Sequence, residues 1–172
     1  MPAMTSARIA LADANVLINL IHAQRLEMLA SLPRYEFVAP EDVISEITDA
    51  AQRAALEEGL SAGYLRRETI SDPEELARYA ELRRILGAGE AACLTLAEAR
   101  GWLIASDEKR RLRREVNERL GPGRLVTTPG LFVLAFRAGV MTVEEADEAK
   151  GILEGHRFRM SFSSFRDVVE NL

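Results

Sequence analysis

The sequence predicts an α/β domain built on a mostly parallel, five-stranded sheet. Three observations point to it. Short β-leaning apolar runs alternate with longer stretches of helical periodicity along the whole chain. The length of 172 residues suits one domain with one core. A content of 48% hydrophobic and 28% charged residues belongs to soluble globular proteins, not to disordered or disulfide-stapled chains.

Each element follows from local chemistry. Arg8-Ile-Ala-Leu-Ala-Asp13 reads as the first strand. A helical stretch from Ala14 to Ser31 follows, breaking near Ala23 to Arg25 and ending before Pro33. Tyr35 to Ala39 is the second strand, and a helix from Glu41 to Glu58 has Gly59 as its C-terminal stop. Tyr64 to Ile70 is a more polar strand suited to a sheet edge. Ser71-Asp72-Pro73-Glu74 opens a helix running to Leu86, with a cap, a first-turn proline and acids where the macrodipole favours them. Gly87-Ala88-Gly89 punctuates, and Glu90 to Ala99 is an apolar helix stopped by Gly101. Trp102 to Ser106 is the fourth strand, Glu108 to Leu120 a helix, and Leu125 to Thr127 the fifth strand beyond a Gly121-Pro122-Gly123 turn. Thr128-Pro129 caps the next helix. Thr142 and Glu145 form a capping box for a helix to Leu153, and Ser164 to Glu170 forms a last short one. With no linker, repeat or low-complexity tract, a single domain over residues 1–172 is expected, residues 142–172 forming a helical C-terminal extension packed on it.

The charge balance, 22 Lys plus Arg against 27 Asp plus Glu, weighs against nucleic-acid binding by total charge. A lone Cys93 allows neither an internal disulfide nor a zinc set, so a reducing cytoplasm is the expected location. No apolar run is long enough for a membrane span.

Ligands of an open parallel sheet bind beyond the carboxyl ends of its strands. Asp13 and Asp107 close the first and fourth predicted strands there, although either alone reads equally well as a helix cap. Glu46 falls at the edge of an apolar stripe of Val43, Ile47, Ala50, Ala51 and Ala54, where an ordinary solvated glutamate is the commoner explanation. Glu90 stands in a first helical turn, a position that macrodipole complementarity alone explains. Together the four say more. Carboxylates converging on one cleft repel unless a cation neutralises them. Hard oxygen donors without a Cys or His cluster point to Mg²⁺ or Mn²⁺ and to phosphoester chemistry.

Four segments carry a resemblance: Leu11-Ala-Asp13-Ala-Asn15-Val-Leu-Ile, Val38-Ala-Pro-Glu-Asp-Val-Ile-Ser-Glu46, Gly87-Ala-Gly-Glu90-Ala and Leu103-Ile-Ala-Ser-Asp107. In order and spacing they resemble the PIN domain, a family of metal-dependent ribonucleases that includes many VapC-type toxins of toxin–antitoxin pairs. The resemblance runs to about residue 130, and the tail from Thr142 is similar to that of a PIN-like subfamily of unassigned function. It implies a three-layer α/β/α sandwich and a Mg²⁺- or Mn²⁺-dependent endoribonuclease leaving a 5′-phosphate and a 3′-hydroxyl. Asp13, Glu90 and Asp107 would be the metal ligands, and Glu46 the fourth catalytic acid, orienting or deprotonating the attacking water. Asn15 and Ser106 match supporting positions. The implied partners are RNA, an antitoxin protein and a second copy of the chain. The family's third acid is more usually Asp, so Glu90 is one methylene longer. That departure keeps open a second reading, a catalytically weak or inactive scaffold that binds RNA or a protein.

Glu108-Lys-Arg-Arg-Leu-Arg-Arg114 holds five positive charges and one negative. With Leu112, Val116 and Leu120 on the buried stripe, Arg110, Arg111 and Arg114 point outward and Arg113 lies at the margin, so these and Lys109 could hold RNA phosphates. The pairs Arg111 with Glu115, Arg114 with Glu118 and Glu115 with Arg119 offer a purely structural account. The glycines at 87 and 89 follow a helix and not a strand, which sets aside a dinucleotide turn. No phosphate-binding loop and no nucleophile elbow occur. A haloacid-dehalogenase-type site would need a second Asp at the position of Asn15. His22 and His156 read as structural or solvated. Cys93 and Trp102 read as packing, and Phe158, Phe162 and Phe165 as an apolar interface group near the chain end.

Overall fold

Four apolar runs and one charged segment become parallel strands: β1 (Arg8–Ala12), β2 (Tyr35–Pro40), the charged β3 (Arg66–Glu68), β4 (Leu103–Ala105) and β5 (Leu125–Val126). The structure, a computed structural model, describes residues 7–170. The sheet order is β3-β2-β1-β4-β5, with Leu11 in register with Val38 on one side and Ile104 on the other. Ala10, Leu11 and Ala12 are fully buried, as a central strand covered on both faces requires. The short, charged β3 lies at the edge, where a polar strand can face water. From β1 the chain moves outward through β2 to β3, then crosses back to β4 and β5. The carboxyl ends of β1 and β4 therefore flank the point where the strand order reverses.

The helices of the crossovers between parallel strands form two layers. On one face lie α1 (Ala14–His22), α2 (Met28–Ser31) and α4 (Ala50–Ser61), joined by α8 (Thr128–Arg137) and α9 (Val143–Gly155), which pack on α1. The other face carries α5 (Pro73–Leu82), α6 (Ala88–Arg100) and α7 (Arg111–Leu120), while α3 (Glu41–Glu46) touches both α1 and α6. Helix α6 is buried from Ala91 through Ala97 and ends where Gly101 turns left-handed at φ 70°. The short α10 (Phe165–Glu170) packs on α9, with Asp147 accepting from the Ser164 hydroxyl and the Phe165 N–H. Among the described residues, no helix is long and apolar enough to cross a membrane.

Several expectations are corrected. The helix foreseen from Glu41 to Glu58 is two helices. Ile47 leaves helical geometry and Asp49 caps α4 by accepting the Gln52 N–H, so a short polar side chain captures a backbone donor that a continuous helix would use. Val43, Ile44 and Ile47 are buried, whereas Ala50, Ala51 and Ala54 are exposed. Gly59 lies inside α4 and is no stop: a Cβ there would sit 2.7 Å from Leu26 Cδ2, so the glycine permits a close approach. Helix α5 ends at Leu82, and the chain reaches Leu86 through turns. Helix α7 starts at Arg111 because the Glu108 carboxylate accepts the N–H groups of Arg110 and Leu112. Thr127, not Thr128, caps α8 through the Gly130 N–H. Phe165 is 1% exposed and meets Phe132 and Phe162 edge to face, so it belongs to the core and not to an exposed group.

Candidate active site

Where β1 ends, Asp13 caps α1. Its Oδ1 accepts the Ala14 N–H at 2.8 Å, its Oδ2 accepts the Ser106 hydroxyl at 2.9 Å, and the residue is 4% exposed. Ser106 follows β4, and the parallel register brings it beside Asp13 across 93 residues of sequence. One residue on, the Asp107 N–H donates to Asn15 Oδ1 at 3.2 Å. The Asp107 carboxylate is held by Thr128, whose N–H donates at 2.7 Å and whose hydroxyl donates at 2.5 Å, and by the Asn19 amide at 3.0 Å. Asn15 and Asn19 stand one helical turn apart on α1, so one face of one helix grips both ends of Asp107.

The other two acids arrive from α3 and α6. Glu46 is the last residue of α3, and its Oε1 accepts the Gly89 N–H at 2.8 Å. Position 89 must lack a Cβ for this contact, since one would lie 2.8 Å from Glu46 Oε2. Glu90, in the first turn of α6, reaches back to accept the Gly87 N–H at 3.4 Å. The positive end of α6 thus faces the acids.

Burial raises the Asp13 carboxyl above the usual carboxylate range, and Glu46 and Asp107 add repulsion, against the lowering by the Ala14 and Ser106 hydrogen bonds. Burial raises Glu90 too, followed by the charge of Asp13, with the Gly87 N–H opposing and Glu108 and Glu46 adding to the rise. The buried Cys93 thiol is pushed well up, first by burial and then by Asp13, Glu46 and Glu90. The four acids therefore share one field. Among the described residues, none of them forms an ion pair with Lys or Arg.

An ionised carboxylate offers roughly four acceptor positions. Asp13 uses two, Glu46 and Glu90 one each, and Asp107 three. Hard oxygens in uncompensated negative surroundings fit a divalent cation such as Mg²⁺ or Mn²⁺ by charge and donor type. As the side chains stand among the described residues, no three carboxylates surround a common point. Glu46 and Glu90 keep the more available oxygens, Asp13 has one donor on each oxygen, and Asp107 is the most firmly tied.

The fold brings Asp13 and Ser106 into one hydrogen-bonded pair and Asn15 and Asp107 into another beside it, and Glu46 and Glu90 reach Asp13 through its charge field. Sequence reasoning missed Asn19, Thr128 and Gly89. Asn19 left a signal, a polar residue among the buried Val16, Leu17 and Leu20 of α1. Lys109, Arg110, Arg113 and Arg114 are exposed and make no ion pair among the described residues. Arg111 donates to the Ile85 carbonyl at 2.9 Å, and of the three foreseen helix pairs the structure contains Glu115 with Arg119, at 3.0 Å. His22 and His156 stack face to face with ring centroids 3.7 Å apart, tying α1 to the end of α9.

A family profile described as DUF3368: PIN domain matches residues 9–172. No curated protein matches the chain. Among solved structures, the crystal structure of PAE2754 from Pyrobaculum aerophilum is similar at 19% identity, covering 78% of this chain and 99% of that one, with a TM-score of 0.45.

Proposed function

Because the chain belongs to the PIN-domain family, we propose that it is a metal-dependent endoribonuclease that hydrolyses RNA phosphodiester bonds. The observation that carries this reading is the set of four carboxylates, at the carboxyl ends of β1 and β4 and on adjoining α3 and α6, with no cation paired to any of them among the described residues. Such a set costs stability unless something positive binds there.

Asp13, Glu90 and Asp107 would hold Mg²⁺ or Mn²⁺, directly or through water. When bound, the ion would polarise a phosphate oxygen and make water more acidic. The chain supplies the rest. Ser106 and the Ala14 N–H fix both oxygens of Asp13, and Thr128 and Asn19 fix Asp107, so neither side chain needs to be ordered when substrate arrives. Glu46, anchored at Oε1 by Gly89, keeps Oε2 for the proton of the attacking water. Water oxygen bonds to phosphorus, the bond from phosphorus to the 3′-oxygen breaks, and a proton passes to that oxygen. The products are a 5′-phosphate and a 3′-hydroxyl.

The finer reading, that the protein is the toxin of a toxin–antitoxin pair working as a homodimer, rests on the family resemblance. An antitoxin that blocks such a cleft would set a basic side chain among the acids. One observation favours the inactive-scaffold alternative: Asp107 already spends three acceptor positions on protein donors. Cleavage of single-stranded RNA by the purified protein, with Mn²⁺ or with chelator, decides between them. The expected result is Mn²⁺-dependent cleavage lost in Asp13→Ala and in Asp107→Ala. Activity that survives both substitutions overturns the assignment.

A further inference from the structure

Beside Asp107 lies a cavity of about 190 Å³ between the start of α7, the start of α8 and the segment that follows α9. Phe158 and Phe162 supply its aromatic wall, and Lys109, Arg113 and Arg159 its cations. We propose that this cavity receives one unpaired nucleobase of the substrate strand, next to the phosphate being cleaved. The proposal deepens the ribonuclease reading and rests on it.

Four observations converge. The first is size: an enclosed space of ~150 Å³ holds a benzene-sized ring, so 190 Å³ suits a single heteroaromatic base and little more. The second is the wall. Phe162 sits edge to face on the buried Phe165, centroids 4.8 Å apart, which packs in turn on Phe132 of the core, so the ring is held before any ligand arrives. Stacking on a fixed aromatic ring is how unpaired bases are generally gripped.

The third is charge. The two acids lining the cavity are already served: Asp107 by Thr128 and Asn19, Glu108 by the N–H groups of Arg110 and Leu112. The three cations make no ion pair among the described residues. Three cations against two carboxylates leave the rim with a net positive charge, which suits phosphates flanking a buried base. The fourth is continuity. Lys109 and Arg113 also line a shallow groove along α7 with Arg110 and Arg114, so a strand whose base enters the cavity has a cationic track for its backbone. That arrangement gives the basic segment and the aromatic tail a common purpose. Neither explains the other in sequence, where Arg113 and Phe162 stand far apart.

The test is binding of a 5′-fluorescein-labelled, unstructured single-stranded RNA to the full-length protein in chelator, read by anisotropy, with one abasic site moved nucleotide by nucleotide along the strand. Wild-type protein should lose affinity at one abasic position by ~5-fold to 100-fold, the range for removing a base–aromatic stack. That position should adjoin the bond cut when Mn²⁺ is restored. Phe162→Leu keeps an apolar contact with Phe165, and Phe158→Ala gives an independent probe should the first perturb folding. Each should flatten the abasic profile, and Arg113→Gln should lower affinity at every position and reduce the salt dependence. An abasic profile that is flat in wild type, or unchanged by both phenylalanine variants, overturns the proposal while Mn²⁺-dependent cleavage leaves the ribonuclease reading standing. A wild-type protein that neither binds nor cuts RNA defeats both.

Discussion

Asp13→Asn should make the metal-free protein more stable at neutral pH, although it removes a residue that caps a helix and bonds Ser106. Asn keeps an acceptor for the Ala14 N–H, now at 2.8 Å, and the Ser106 hydroxyl can turn to accept from the new amide. What the substitution costs is the charge-assisted part of the Ser106 bond, about 1–2 kcal/mol. What it removes is a charge on a side chain that is 4% exposed and faces Glu46 and Asp107. The sign follows from the raised pKa of Asp13: burial and repulsion together outweigh the hydrogen bonds. A carboxyl raised on folding contributes stability at low pH that is lost as pH rises through its folded value, so near pH 7 the ionised group is a liability. The net gain should fall in the range of about 0.5–2 kcal/mol usual for relieving functional-site strain, or ~1–8 °C in Tm for a domain of this size. Urea and thermal unfolding in chelator measure it. Adding Mn²⁺ should stabilise the wild type, by about 2.7 kcal/mol at a hundredfold excess over Kd, and leave Asp13→Asn little changed. If Asp13→Asn lowers stability in chelator by more than about 1 kcal/mol, Asp13 is a structural cap and the uncompensated-cleft argument fails.

Three further outcomes are expected. Gly89→Ala places a Cβ 2.8 Å from Glu46 Oε2 and displaces that flexible side chain, so cleavage should fall at least about tenfold while stability stays within about 1 kcal/mol; an unaltered rate shows that the Gly89 to Glu46 contact is dispensable. Thr128→Val removes the hydroxyl on Asp107 but keeps the backbone N–H, and should cost about 10–100-fold in activity or Mn²⁺ affinity by titration, with the circular dichroism spectrum unchanged. His22 has its pKa lowered by burial and by the stacked His156, with Asp49 opposing, so the unfolded chain binds more protons below its ordinary value of 6.5. Stability should therefore fall as pH drops below that value, and His22→Phe should show a smaller drop in Tm between pH 7 and pH 5, an outcome that equal drops would contradict.

The sequence by itself determined the elements whose signals are local. Continuous apolar runs at Ala10 to Ala12 and Leu103 to Ala105 are what strands buried on both faces require, and the caps at Asp72 and Thr142 follow from hydrogen bonds within one turn. It also picked out the four candidate acids and their order: Asp13 and Asp107 each follow an apolar run, Glu90 stands in a first helical turn, and Glu46 lies at the edge of an apolar stripe. What lay beyond it were the partners. Ser106 meets Asp13 across 93 residues, Asn19 meets Asp107 across 88 and Gly89 meets Glu46 across 43. Those contacts exist because the parallel register sets β4 beside β1 and because the crossovers send α3 and α6 toward the same end of the sheet. Periodicity also erred where a local competitor intervened, as when Asp49 split a helix that the apolar pattern continued, and where a neighbour decided, as when Leu26 made room for Gly59 alone. A residue's propensity is written in its immediate surroundings, whereas its charge environment is the sum over whatever the fold places within a few ångströms. Only the tertiary structure decides whether four scattered carboxylates are four caps or one acidic cleft.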